Sequence, residues 1–223
     1  MVAIVSGNNL GLNLSSLASI GPGGQFGKAS LGQTGERSYV DVSTGNLVVQ
    51  GVDTSLVGLG GGTTTLRTYN SQGVFDQDNG DGWRGAPYRS VIQHGQGPVV
   101  RTDIDGSQTD FLWDAARGAY VAQVAAGQAL DTIVADANGN WVFTDGSTGR
   151  VEVYQGTGQG LILSQTDTSG NSFTYSYIGN LLARVQGSDG DAVDYTYVGA
   201  NLTQVSTTLA DGSLVNQVSY SYD

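Results

Sequence analysis

The chain has 223 residues, no cysteine, 35 glycines but only 3 prolines, and a formal net charge of −11. Without cysteine there are neither disulfides nor thiolate zinc sites, and an acidic surface repels phosphate backbones, which argues against nucleic acid as a partner. Eighteen of the 20 acidic residues are Asp, only Glu36 and Glu152 are Glu, and Lys28 is the single lysine beside eight arginines. Scarce helix formers with abundant turn residues point to short strands joined by tight turns.

Residues 1–36 read as a partly irregular N-terminal arm. "MVAIVSGNNLGLNLSSLASIGPGG" lacks a basic segment and is too polar to span a bilayer, while Leu10, Leu12 and Leu14 alternate as in one edge strand. From Arg37 to Asp223 a single β-sheet region is expected. "RSYVDVSTGNLVVQGVD" predicts two strands around the turn Ser43-Thr44-Gly45-Asn46, and "GGGTTTLRTYN" a Thr-rich strand. "DQDNGDGWRG" reads as a loop, followed by short strands in "YRSVIQ", "PVVRTDI", "QTDFLWD" and "AYVAQV". Asp105-Gly106, Asn138-Gly139, Asp145-Gly146 and Asp211-Gly212 are hairpin signals. No window carries a helical apolar stripe; the Ala-rich "WDAARGAYVAQVAAGQALD" comes nearest, but its glycines weaken a helix.

Clear repeats begin at about residue 160. Tyr175, Tyr177, Leu182 and Val185 recur twenty residues later as Tyr195, Tyr197, Leu202 and Val205, and Tyr220 and Tyr222 open a further copy after a longer turn. Alternation places Phe173/Tyr175/Tyr177, Val193/Tyr195/Tyr197 and Val218/Tyr220/Tyr222 each on one face of a strand. Units that cannot bury a face alone must stack on their neighbours. The fold class read from this pattern is all-β, an antiparallel sheet of short hairpin-connected strands.

The repeat in "GNSFTYSYIGNLLARV", "DAVDYTYVGANLTQV" and "VSYSYD" resembles the tyrosine–aspartate (YD) repeat family, also called rearrangement-hotspot or Rhs proteins. The Asp after the second Tyr is kept only at Asp223; Ile178 and Val198 stand in its place upstream. "VDVSTGNLVVQGVDTSLVGLGGGTTTLRTYNSQG", "DGWRGAPYR" and "DGSQTDFLWD" are similar to the segment that opens such regions, so the resemblance covers roughly residues 37–223. It implies a long antiparallel sheet spiralling into a hollow shell, which in Rhs toxins encloses a C-terminal toxic domain. The expectation is a non-enzymatic N-terminal segment of such a shell, in a large secreted or cell-surface polymorphic toxin or adhesin-like protein. Its implied partners are downstream repeats of its own chain and a C-terminal toxin. The family's autoproteolytic aspartate motif has no counterpart here, so the resemblance assigns no catalytic residue.

The residues themselves offer few other sites. Asp76, Asp78 and Asp81 in "DQDNGDG" bring hard oxygens close in sequence, as in a calcium loop. Gly80 and Asp81 nonetheless break the EF-hand spacing, and no closing acid follows, so a solvated acidic turn is the competing reading and no cofactor is required. His94 beside a Gly turn has no partners at a catalytic spacing. Asp103 and Asp105 alternate, but the Asp105-Gly106 turn already accounts for one of them. Trp83, Trp113 and Trp141 are expected to pack in or beside strands. Exposed tryptophans and loop aspartates would instead favour the alternative function, a carbohydrate- or surface-binding module. Finally, a strand at "VSYSYD" without a successor is expected to dimerise through its free edge.

Overall fold

The computed structural model describes residues 30–31, 37–41, 46–58, 61–71, 83–85, 89–103, 108–122 and 130–222. Every regular element among them is a strand, arranged in two antiparallel sheets. The first sheet runs in sequence order through β1 (Ser30–Leu31), β2 (Arg37–Asp41), β3 (Asn46–Gly58), β4 (Gly61–Asn70) and β5 (Trp83–Gly85). Most of the expected arm, the Ser43–Gly45 part of the sheet region's first predicted turn and Asp105-Gly106 lie outside the described residues.

The second sheet has thirteen strands, each paired to the next in the chain. It starts with β6 (Ser90–Gln93), β7 (Val99–Thr102), β8 (Gln108–Asp114) and β9 (Ala119–Ala122). It continues through β10 (Thr132–Ala135), β11 (Trp141–Thr144), β12 (Val151–Tyr154) and β13 (Ile162–Thr166). The repeats supply β14 (Ser172–Ile178), β15 (Leu181–Gly187), β16 (Ala192–Val198), β17 (Asn201–Thr208) and β18 (Leu214–Ser219). The Ala-rich stretch is no helix where it is described: Trp113 pairs with Tyr120 across the β8–β9 hairpin.

Alternation along these strands buries one face. Val91, Val99, Phe111, Ile133, Phe143, Tyr154 and Ile162 form one apolar cluster over β6–β13. Leu182, Val185, Val193, Tyr195, Leu202 and Val205 form a second over β15–β17, and Tyr175 borders both. Each fully buried aliphatic side chain contributes about 1.5–3 kcal/mol relative to exposure.

A flat meander could not make these contacts. Five strand spacings separate β7 from β12, roughly 24 Å in a flat sheet. Arg101 of β7 nevertheless reaches Glu152 of β12 at 2.9 Å. The sheet therefore curls, and it does so without closing into a barrel. The start of β6 is stitched to the connection between β12 and β13 by a Ser90–Leu161 bridge and a 2.9 Å hydrogen bond from Val91 N–H to Gly160 C=O. Gly160 is required there: its φ is +60°, and a Cβ would lie 2.1 Å from the Val91 carbonyl oxygen.

The twenty-residue repeat is a hairpin laid down twice in one register. Tyr175 opposes Val185 and Tyr177 opposes Leu182, with a bulge between Ser176 and Tyr177. Tyr195 opposes Val205 and Tyr197 opposes Leu202, with the bulge between Thr196 and Tyr197. The second tyrosine also grips an earlier strand: Tyr177 donates to the Ile162 carbonyl at 2.8 Å, and Tyr222 to that of Leu202 at 2.7 Å.

Aspartates make the turns. In the two Asp-x-x-Gly-Asn turns, Asp136 and Asp167 accept from backbone N–H groups two and four residues on, at 2.8–2.9 Å. The left-handed glycines of Asn138-Gly139 and Asp211-Gly212 occur as expected. Asp145-Gly146 behaves differently. The Asp145 carboxylate accepts from Ser147 and Thr148 N–H, which lengthens the turn to Arg150 and moves the positive φ to Gly149.

Candidate functional site

The polar chemistry gathers inside the curl. V-E-V-Y on β12 turns Glu152 and Tyr154 to the interior, as R-T-D at β7 does Arg101 and Asp103. Arg89, just before β6, comes from the stitched edge. Glu152 is completely buried and has both carboxylate oxygens engaged. Arg89 Nη1 donates to Oε1, while Arg101 Nη2 at 2.9 Å and the Tyr154 hydroxyl at 2.5 Å donate to Oε2. Arg101 also binds Asp103 at 2.8 Å and lies 4.3 Å from the Phe143 ring centre. Arg89 Nη2 reaches Gln165 of β13 at 2.9 Å and the Tyr175 hydroxyl of β14 at 3.3 Å. The Nε atoms of Arg89 and Arg150 carry no hydrogen bond, although that of Arg150 approaches Glu152 Oε1 to 3.3 Å, a poorly aligned ion pair.

Burial alone would push the Glu152 carboxyl up. The guanidiniums of Arg89, Arg101 and Arg150, with the Tyr154 hydroxyl, overcome that and hold it below its ordinary value. Tyr154 moves the other way, raised by burial and by the neighbouring carboxylate despite Arg101. A carboxylate so engaged is a poor acid or base. The network's members come from β6's edge, β7, β12, β13 and β14, so it acts as a brace across the curl.

Asp76, Asp78 and Asp81 lie outside the described residues. Among the described residues, no group of three or more His, Asp or Glu side chains could hold a metal. His94 is exposed in the β6–β7 turn, where its carbonyl accepts from Gly97 N–H at 3.1 Å. Asp103 is buried against Arg101, and Asp105 lies outside the described residues.

The tryptophans divide. Trp141 is half-buried, edge-on to Tyr120 at 5.8 Å, and Trp83 is half-buried under the Arg67 guanidinium at 5.0 Å. Trp113 departs from the packing expectation: it is 58% exposed, held edge-on to Tyr120 at 5.1 Å. It is two residues from fully buried Phe111, near the end of β8.

Sequence reasoning missed Arg89 and Arg101 and took Glu152 only as a rarity. V-E-V-Y alone is ambiguous: alternation puts Glu152 with Tyr154 on the face opposite the two valines, and its burial there requires cationic partners. Which arginines answer it depends on strands five or more apart.

The family described as "Domain of unknown function (DUF6531)" matches residues 37–111, about a third of the chain. Among curated proteins the chain has no match.

Proposed function

We propose that the chain is a non-enzymatic structural module, a length of curved β-wall of the Rhs/YD type within a secreted or cell-surface protein. In this reading its partners are further repeats of the same design, and the wall shields a cargo such as a toxin or carries an adhesive surface. One observation carries the proposal: the same hairpin recurs with the same register and the same bulge, each copy packing its tyrosines against the apolar face of its neighbours. A unit that adds without altering its neighbours suits a wall of extendable length. The internal brace supports the same reading, since its charged groups are spent on one another rather than offered to a substrate. The DUF6531 match falls on residues 37–111, the segment that carries the motifs resembling the opening of YD regions.

Trp113 favours the second reading, a carbohydrate-binding module, because an exposed indole fixed by a neighbouring ring can stack on a sugar. One experiment separates the two. A second copy of residues 187–206 inserted after Ser206 keeps the repeat phase. A wall should accept it, gaining strand signal in circular dichroism while melting cooperatively within a few degrees of the parent. Loss of cooperative folding, or saturable quenching of tryptophan fluorescence by oligosaccharides that Trp113→Ala abolishes, would overturn the wall reading.

A further inference from the structure

We propose that the five-stranded sheet carries a tyrosine-receiving site, built by Asp53, Arg67 and Trp83 and filled by Tyr220, which latches the far end of the long sheet to β3 and β4. The occupant is 167 residues from Asp53 in the chain, yet its hydroxyl donates to Asp53 Oδ2 at 2.6 Å. Arg67 of β4 donates through Nε to the same oxygen at 2.5 Å. Its guanidinium lies 5.4 Å from the Tyr220 ring centre and 5.0 Å from that of Trp83. Trp83 in turn leans on Tyr69, at 5.5 Å and 51°. One cation thus serves two rings and a carboxylate.

The backbone is shaped for this contact. Val52 opposes Leu66 and Thr54 opposes Thr65, so Asp53 is the extra residue of a β-bulge. A bulge re-aims the side chain it carries. Here it delivers a carboxylate that is only 6% exposed, which demands partners. Tyr220 supplies a hydroxyl and Arg67 a charge. Burial and the Asp53 carboxylate together hold the Tyr220 phenol protonated well above the ordinary tyrosine range, as a donor must be.

The repeat defines what the site accepts. Tyr220 is the first tyrosine of a Tyr-x-Tyr pair, the position held by Tyr175 in the first copy. Tyr175 also meets a charged residue from earlier in the chain, Arg89. The phenol at this position therefore bonds the wall to what precedes it, at the first copy through a cation and at the last through an anion. The class of ligand is a tyrosine-bearing strand end of the repeat, and the latch ties the end of β18 to β3 and β4 of the five-stranded sheet.

Amide hydrogen exchange on the full chain tests this. Tyr220→Phe and Asp53→Ala should each lower protection of both β3–β4 and β17–β18 by about tenfold, the loss of one charge-assisted hydrogen bond. The double variant should lose no more than the worse single variant, because both remove the same contact. Tyr177→Phe, which removes the bond to the Ile162 carbonyl, should leave β3–β4 unchanged. If Tyr220→Phe alters β17–β18 alone, or if the two substitutions act additively, the latch is disproved. Should Asp53→Ala fail to fold, the β3–β4 response to Tyr220→Phe decides by itself.

Discussion

Glu152 is a fully buried carboxylate on a strand that is otherwise Val, Val and Tyr, and it persists there because three donors answer its two oxygens. Removing one partner of such a network leaves the rest uncompensated in a poor dielectric, a loss of about 3–5 kcal/mol. Glu152→Gln should therefore lower the melting temperature by roughly 10 °C in a chain of this size. An unchanged melting curve would remove the brace from the account. Acid acts on the same group. Its folded pKa lies below its unfolded one, so its contribution is full at neutral pH and is lost as pH falls through the folded value. The turn aspartates share this sign. Asp145 is pulled down to about 2 by Ser147 and Thr148 against the opposing effect of its partial burial, and Asp136 and Asp167 are lowered chiefly by their bonds from Asn140 and Asn171. Asp131, raised by burial, works in the opposite sense. Denaturant midpoints should thus hold from pH 7 to about 5 and then fall between about pH 4 and 2; a midpoint constant to pH 2.5 contradicts this. The Asp-rich composition announced the turns, since an Asp carboxylate bonds backbone two residues on. It did not announce the brace, whose partners are set by the curl.

The hairpin is the element that repeats, and its tyrosines are structural. Tyr195 is buried among Leu182, Val185 and Val205, so Tyr195→Ala should cost about 3–5 kcal/mol by leaving a cavity, read from urea unfolding. A fully stable variant would show that the row serves something other than packing. β18 is the edge of the long sheet, and its Leu214 and Val215 are both 58% exposed. Free edges recruit strands. Light scattering at rising concentration should show self-association that Val215→Lys suppresses; a strict monomer at millimolar concentration would contradict it. Most strands were legible because period-two alternation and turn glycines are local signals. The failures were local too. Asp145-Gly146 looked like a two-residue turn, but the carboxylate preferred a longer one with Gly149 at positive φ. Trp113 shares the strand face of buried Phe111, so alternation predicts its burial, yet it is mostly exposed.

At the scale of the molecule, the central claim is that the long sheet curls around its own interior, with the latch at Tyr220 tying its far end to the five-stranded sheet. Strand order was readable from the repeat and from the short connections. Curvature was implied only by resemblance, because the contacts that fix it join residues 51 to 86 apart in sequence. One amide reports on it. β6 is formally an edge strand, paired on one side with β7, and the Val91 N–H points away from that partner toward Gly160. If the sheet curls and is stitched there, this N–H should exchange as slowly as those of β7 and β8, through global unfolding alone. An exchange rate close to that of an unprotected peptide, with β7 and β8 still protected, would mean an open sheet and contradict the account.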